Sequence, residues 1–326
     1  MEWIQVAITT TPEGIDPLCG VLMTLGINGF EIEDEGDFRR FLEENKKYWD
    51  YVDEALLAQK RGDTRVKIYI SNNESGAQQL LAVRQRLDTL RREHPEFGTL
   101  ALALVNMCEE DWAENWKQFF HPLPVGERVL IQPEWEPAER TNGRVVFTVN
   151  PGMIFGTGSH HTTQLCIEQL ERAMFPGARV LDLGCGSGIL SIIALLLGAG
   201  YAEGVDIDPN AEKIAYENAA RNGISRENYV VHAGNILEDT ALQARFAQKK
   251  FDLVLANIVA DVIIPLSAIA PRFMHRDSVF ITSGIIMSRI DEVKSALEER
   301  FVIRSVHEKK DWAALVCTPR AEFLNA

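Results

Sequence analysis

Val180-Leu181-Asp182-Leu183-Gly184-Cys185-Gly186-Ser187-Gly188-Ile189-Leu190 is the stretch that decides the fold. Its first four residues have the apolar character of a strand covered on both faces, and Ile189 opens an apolar helix. The glycines between them let the backbone turn sharply and approach a ligand closely, which makes Gly184 and Gly186 candidate cofactor contacts. The spacing discriminates between ligands. A dinucleotide fingerprint reads G-x-G-x-x-G, whereas this loop reads G-x-G-x-G and puts Ile189 where the third glycine would stand. Cys185 sits inside the loop without an evident base partner, so it reads as a small space filler rather than a nucleophile.

Downstream of this loop, strands alternate with helices, the pattern of a mostly parallel sheet covered on both faces. Seven strands are expected at 179–183, 202–206, 228–232, 251–256, 278–282, 301–307 and 312–317. Only a few residues join the last two, too few for a crossover, so that pair must be antiparallel. Six parallel strands ending in one reversed strand is the Rossmann-like architecture of the common S-adenosylmethionine-dependent methyltransferases.

Upstream, residues 1–105 read as two β-α-β units, which predicts a small α+β ferredoxin-like domain. Apolar residues alternate at Val66, Ile68 and Ile70 as in a half-buried strand, and Leu80, Val83, Leu87 and Leu90 mark one helix face. A charged stretch, 37–60, interrupts the domain. Residues 106–121 read as a linker helix in which Trp112 and Trp116 share a face as a packing anchor. Residues 128–133 and 144–149 are expected to form a hairpin leading into the second domain, 122–326.

Composition narrows the function classes. The 326 residues are 46% hydrophobic and 25% charged, an ordinary globular profile for two domains. No apolar run is long enough to cross a bilayer and no leader segment is evident, so a cytoplasmic protein is expected. Five scattered cysteines without a C-x-x-C pair argue against a disulfide framework or a zinc site. The net charge of −14 disfavours general nucleic-acid binding and suits a basic protein partner, although acidity also serves solubility alone.

Other candidate site residues follow the strand ends. Asp206 ends the second expected strand roughly twenty residues past Gly184, where an acid can accept both hydroxyls of a ribose. Asp208 and Pro209 are the cap and first turn of the next helix. Asn235 follows the third strand and can meet the edge of an adenine. Asn257 ends the fourth strand, and its amide offers an acceptor and two donors without charge. That suits an amine acceptor, since a free lysine has a pKa of about 10.4 and must lose its proton before attack. The bland alternative for Asn257 is a cap on the strand. The run Phe155-Gly156-Thr157-Gly158-Ser159-His160-His161-Thr162-Thr163 enters a helix whose first hydroxyls can reach a bound nucleoside. Its two adjacent histidines point apart and lack a carboxylate partner, so no metal is expected.

Together the F-G-T-G-x-H-x-T-T run, D-L-G-C-G-S-G-I-L, G-V-D-I-D-P and A-N-I resemble the ribosomal protein L11 methyltransferases (large-subunit protein L-eleven), over nearly the whole chain. The resemblance implies methyl transfer from S-adenosylmethionine to lysine side chains and the N-terminal amine of that ribosomal protein, which the small first domain holds. It also places Thr163, Gly184, Asp206 and Asn257 at cofactor contacts and Thr157 in the loop facing the methyl. The 37–60 stretch departs from the pattern. Among rivals, a nucleic-acid base methyltransferase commonly carries N-P-P and an aromatic where this chain has Asn257-Ile258-Val259. A nicotinamide-dependent oxidoreductase is disfavoured by the glycine spacing. A non-catalytic protein that keeps the cofactor pocket stays open on the sequence alone.

Overall fold

The computed structural model describes residues 3–27, 29–33, 64–104, 121–136, 140–150, 158 and 160–324. The chain divides into two compact units, Met1–Phe120 and His121–Ala326. The expected linker helix, apart from its last residue, and the charged stretch 37–60 lie outside the described residues.

In the first unit β1 (Trp3–Thr9), α1 (Ile15–Thr24), β2 (Phe30–Glu33), β3 (Arg65–Ser71), α2 (Glu74–Glu93) and β4 (Leu102–Leu104) follow one another. Their strands make one antiparallel sheet in the order β2-β3-β1-β4. Val66, Ile68 and Ile70 are buried while Tyr69 between them is exposed, the period-two burial of a sheet with one covered face. Leu18 and Leu22 of α1 and Leu80, Val83 and Leu87 of α2 are buried as well, at helical spacing. Helix α2 begins where the Asn73 side chain accepts a hydrogen bond from the Gly76 amide at 3.0 Å.

The second unit starts with a small sheet of β5 (Leu123–Val125), β6 (Val129–Pro133) and β7 (Val145–Val149). Strand β6 pairs antiparallel with β5 but parallel with β7, so the expected 128–133/144–149 hairpin is not what forms. Residues 134–144 separate the two strands, enough chain to carry β7 back to the end where β6 began, whereas a hairpin turn needs only a few residues.

A seven-stranded sheet follows: β8 (Arg179–Leu183), β9 (Tyr201–Asp206), β10 (Tyr229–Ala233), β11 (Phe251–Asn257), β12 (Met274–Ile286), β13 (Phe301–Lys309) and β14 (Trp312–Pro319). Its order is β10-β9-β8-β11-β12-β14-β13. Strands β8 to β12 pair in parallel, and β14 runs antiparallel to both neighbours. The reversed strand is last in sequence yet lies between β12 and β13. A two-residue turn, Lys310-Asp311, joins it to β13, with Lys310 at φ 53° as such hairpin turns require.

The helices of this unit are α3 (His161–Ala173), α4 (Ile189–Leu196), α5 (Pro209–Arg221), α6 (Thr240–Lys249), α7 (Ala260–Ile269) and α8 (Ile290–Glu298). They bury two cores, one on each face of the sheet. Val180 of β8 belongs with Cys166 and Leu170 of α3, Ile192 of α4 and Ala215 of α5. Leu181 and Leu183 belong with Phe246 of α6, Ile263 of α7 and Val293 of α8. Alternation along a doubly covered strand assigns each side chain to one core. The carboxyl ends of β8, β9, β10, β11 and β12 therefore meet the start of β14 along one edge, where ligands of such sheets bind. Among the described residues no helix is long and apolar enough to cross a membrane.

Two polar tethers hold α3 and β7 in place. The buried Glu171 of α3 accepts from the amides of Glu127 (2.8 Å) and Arg128 (2.9 Å), anchoring the β5–β6 turn. The Asn222 carboxamide, just past α5, pairs with β7 through Thr148 N (2.7 Å) and Thr148 O (2.8 Å).

Candidate functional site

The glycine loop between β8 and α4 is built as its sequence requires. Gly184 has φ 78°, in the left-handed region, and an added Cβ would fall 2.5 Å from Ile258 Cδ1. Gly188 caps α4 at φ 75°, and a Cβ there would meet Tyr229 Oη at 2.7 Å. The Gly184 and Cys185 amides both donate to Val205 O, at 2.7 and 3.1 Å, which presses the loop onto the end of β9. Cys185 is buried, and burial raises its thiol well above the usual range, so it fills space rather than attacking a substrate.

Asp206, at the end of β9, holds this loop. Its Oδ2 accepts from Gly186 N at 2.8 Å and its Oδ1 from Asp208 N at 2.9 Å. An ionised carboxylate has about four acceptor positions, so two hydroxyl donors can still be met. Asp208 accepts from Asn210 N at 2.9 Å and starts α5, separate from the role of Asp206. Ile207 between them is 71% exposed, an apolar side chain at the rim of the polar crevice. Sequence reading passed over Ile207, although an apolar residue between two acids in Asp206-Ile207-Asp208 was the available signal. Asn235 stands after β10, with its Oδ1 accepting from Leu237 N at 3.1 Å. Its amide NH2 is the group left to meet a base edge.

Across β8, strand β11 ends in Asn257. The Asn257 Nδ2 donates to Thr163 Oγ1 of α3 at 3.3 Å, bringing together two candidates 94 residues apart. Thr163 is buried in the first turn of α3, whose start is capped by His160: its Nδ1 lies 2.8 Å from Thr162 Oγ1. Burial lowers the pKa of both His160 and His161. Gly158, at the end of the F-G-T-G run, sits against Ile131 of β6 and Ile189 of α4. That places the run's end beside the glycine-loop helix. Thr157 and the residues before it in the run lie outside the described residues.

Beneath the loop, Asp182 is 1% exposed and accepts from Ser191 Oγ at 2.9 Å. Burial raises its carboxyl to about 7, against the opposing effect of that hydrogen bond. On the neighbouring strand Glu203 is also buried, but it meets Lys249 and, at 2.9 Å, His232. Burial alone would raise Glu203; those partners outweigh it and bring the carboxyl to about 2.

The crevice offers a glycine cradle, a carboxylate with acceptor positions to spare, an exposed apolar side chain, and a neutral amide–hydroxyl pair a strand away. Together these groups suit a nucleoside carrying a short charged tail.

The sequence profile of the family described as ribosomal protein L11 methyltransferase (PrmA) matches residues 2–320. The chain is 37% identical over 317 residues to a ribosomal protein L11 methyltransferase of Alkaliphilus metalliredigens, covering 97% of each chain. To one from Lachnoclostridium phytofermentans it is 38% identical over 333 residues, covering 97% of this chain and 98% of the other. Among solved structures, ribosomal protein L11 methylase from Lactobacillus delbrueckii subsp. bulgaricus aligns with a TM-score of 0.55 at 32% identity. That alignment spans 62% of this chain and 100% of the other.

Proposed function

The chain belongs to the ribosomal protein L11 methyltransferase family, and on that premise we propose that its crevice transfers methyl groups to lysine side-chain and N-terminal amines of L11. The protein is an S-adenosylmethionine-dependent methyltransferase and L11 is its substrate. The observation that carries the amine reading is the Asn257–Thr163 pair, 3.3 Å apart at the end of β11.

S-adenosylmethionine, when bound, supplies a methyl group on a positively charged sulfur that is open to in-line displacement. Gly184 and Gly186 give the backbone room for it, Asp206 orients the ribose, and Thr163 and Asn257 close the far side. Because Asn257 Nδ2 is turned to Thr163, its Oδ1 is the atom that accepts from an amine N–H. A neutral acceptor steers the nitrogen lone pair without stabilising the ammonium as a carboxylate would. An amine enclosed by such groups sheds its proton to water more readily, and orientation then supplies much of the rate. Thr157 completes the loop over the methyl in this reading, supported by the family motif alone.

The reading gives residues 1–105 the task of holding L11, 106–121 that of a linker helix, and 122–326 the chemistry. The cytoplasm is its setting, supported by the free buried thiols of Cys19, Cys166, Cys185 and Cys317. Incubation of the full chain with purified L11 and methyl-labelled S-adenosylmethionine is the test. Label on lysine Nζ and on the N-terminal nitrogen, located by mass spectrometry, is expected; label confined to other atoms, or none, would overturn the assignment.

A further inference from the structure

Three exposed large apolar side chains stand at the carboxyl ends of β9, β11 and β12 or just beyond them: Ile207, Val259 at 59% exposure and Ile286 at 41%. Ile207 lies beside Asp206, at the rim of the crevice. Ile286 is on the other side of Asn257, and the backbone has been rearranged to put it there.

On β12, Ser283 pairs with Asn257, and Ile281 belongs to the core on the α3 face of the sheet. Simple alternation would place Ile285 on that face as well and turn Ile286 away. A bulge at Gly284, φ 87°, shifts the count: Ser283 faces Ala314, Ile285 faces Ala313, and Ile286 faces Trp312. Ile285 and Ala313 are fully buried in the core of the opposite face. Their neighbours Ile286 and Trp312 therefore both point to the α3 face, the face of Asn257 and Ser283. The ring of His160, at the start of α3, packs edge-on to Trp312 with centroids 5.0 Å apart. Bulges beside binding sites commonly re-aim a side chain in this way.

We propose that Ile286 and Trp312 form the apolar wall along which the stem of an acceptor lysine runs to the Asn257–Thr163 pair, making them specificity-determining residues for side-chain amines. The inference rests on the amine-methylation reading above. A lysine carries its nitrogen on a flexible four-carbon stem, and such stems lie along apolar surface while the head stays among polar groups. Ile286 and Trp312 supply that surface on the same face of the sheet as the pair that meets the nitrogen. An α-amine at a chain terminus has no stem, so the wall favours lysine and leaves the terminal amine unaffected.

The test compares the full-length protein with Ile286→Ser and Trp312→Leu, methylating L11 at saturating S-adenosylmethionine, with lysine and N-terminal products separated by mass spectrometry. The KM for lysine acceptors is expected to rise about tenfold, the usual effect of removing one apolar contact. Methylation of the terminal amine, affinity for the demethylated cofactor product and the melting temperature should stay close to the parent, and Ile286→Val should restore the lysine KM. Equal losses at both kinds of amine, an unchanged lysine KM, or a loss that follows cofactor affinity or melting temperature would overturn the wall. A parent that placed no methyl on L11 would instead bring down the functional reading and this inference with it. A parent active on both amines, with variants behaving alike, would remove this inference only.

Discussion

The two halves of the crevice are built by different means. On the β8–β9 side, the groups assigned to the cofactor belong to two short contiguous runs, and most of their hydrogen bonds come from backbone: Gly184 and Cys185 to Val205, Gly186 and Asp208 to Asp206. On the β11–β12 side, distant segments meet: the Asn257 side chain with Thr163, the His160 ring with Trp312, and Ile286 opposite Trp312 in strand register. The first half is a local motif that any sequence with the right glycines can form. The second exists only once strand register and the placement of α3 are fixed, so it is where relatives of the same fold can differ in what they methylate.

The sharpest way to break this comparison is to remove one polar group from each half. Asn257→Ala should lower single-turnover methylation by about 2.7 to 4 kcal/mol of transition-state stabilisation, on the order of a hundred- to a thousand-fold, and weaken cofactor binding far less. Asp206→Ala should do the reverse, weakening binding of the demethylated product by roughly 1 to 3 kcal/mol. Calorimetric titration beside rapid-quench kinetics separates the two. Equal effects of both variants on binding and turnover would mean that the halves do not divide the labour.

A smaller effect is expected from Gly284→Ala. At φ 87° an added Cβ is strained, and it would lie 2.3 Å from the backbone oxygen of Ile258. Denaturant unfolding should register a loss of about 2 kcal/mol or more, since a left-handed alanine costs about 1 to 2 kcal/mol before any clash. Unchanged stability would mean that the bulge is soft and does not fix the register of the acceptor side.

The gentlest probe uses pH. Asp182 keeps its proton in the folded chain up to about 7, whereas its ordinary value is 3.8. Its contribution to stability is therefore full below 3.8 and is lost as pH rises through about 7, with a slope of at most about 1.4 kcal/mol per unit. Glu203, held down to about 2 from 4.5, contributes in the opposite sense: fully above 4.5, and lost as pH falls toward 2. Asp182→Asn should flatten the decline of melting temperature between about pH 5 and 7, and Glu203→Gln, whose linkage lies lower, should leave that window unaltered. A decline that persisted in Asp182→Asn would assign it to another group.

What the sequence revealed follows the same division. The segment 179–183 is read as a strand from its apolar run and the glycines beyond it, and β8 has those bounds. Strand β12 is expected only at 278–282 but spans Met274–Ile286: His275, Arg276 and Asp277 interrupt its apolar pattern, and Gly284 lies just past the expected end. In the structure that glycine is a bulge within the strand. The parallel pairing of β6 and β7 was likewise hidden, since both pairings demand the same alternating residues and only the path of 134–144 distinguishes them. Gly184, Gly186 and Asp206 could be named from one short motif and its spacing. The nearness of Thr163 to Asn257 cannot be read that way, because it depends on how α3 lies across β11 and β12.

Asp206 accepts from the Gly186 and Asp208 amides, so the glycine loop is held by contacts made within the chain itself. A loop tied by its own chain needs little rearrangement to admit a donor, so little ordering entropy is lost on capture. Exchange of spent product for fresh donor is then set by escape. Nucleosides that differ in affinity for this crevice should arrive at similar rates and differ mainly in residence time.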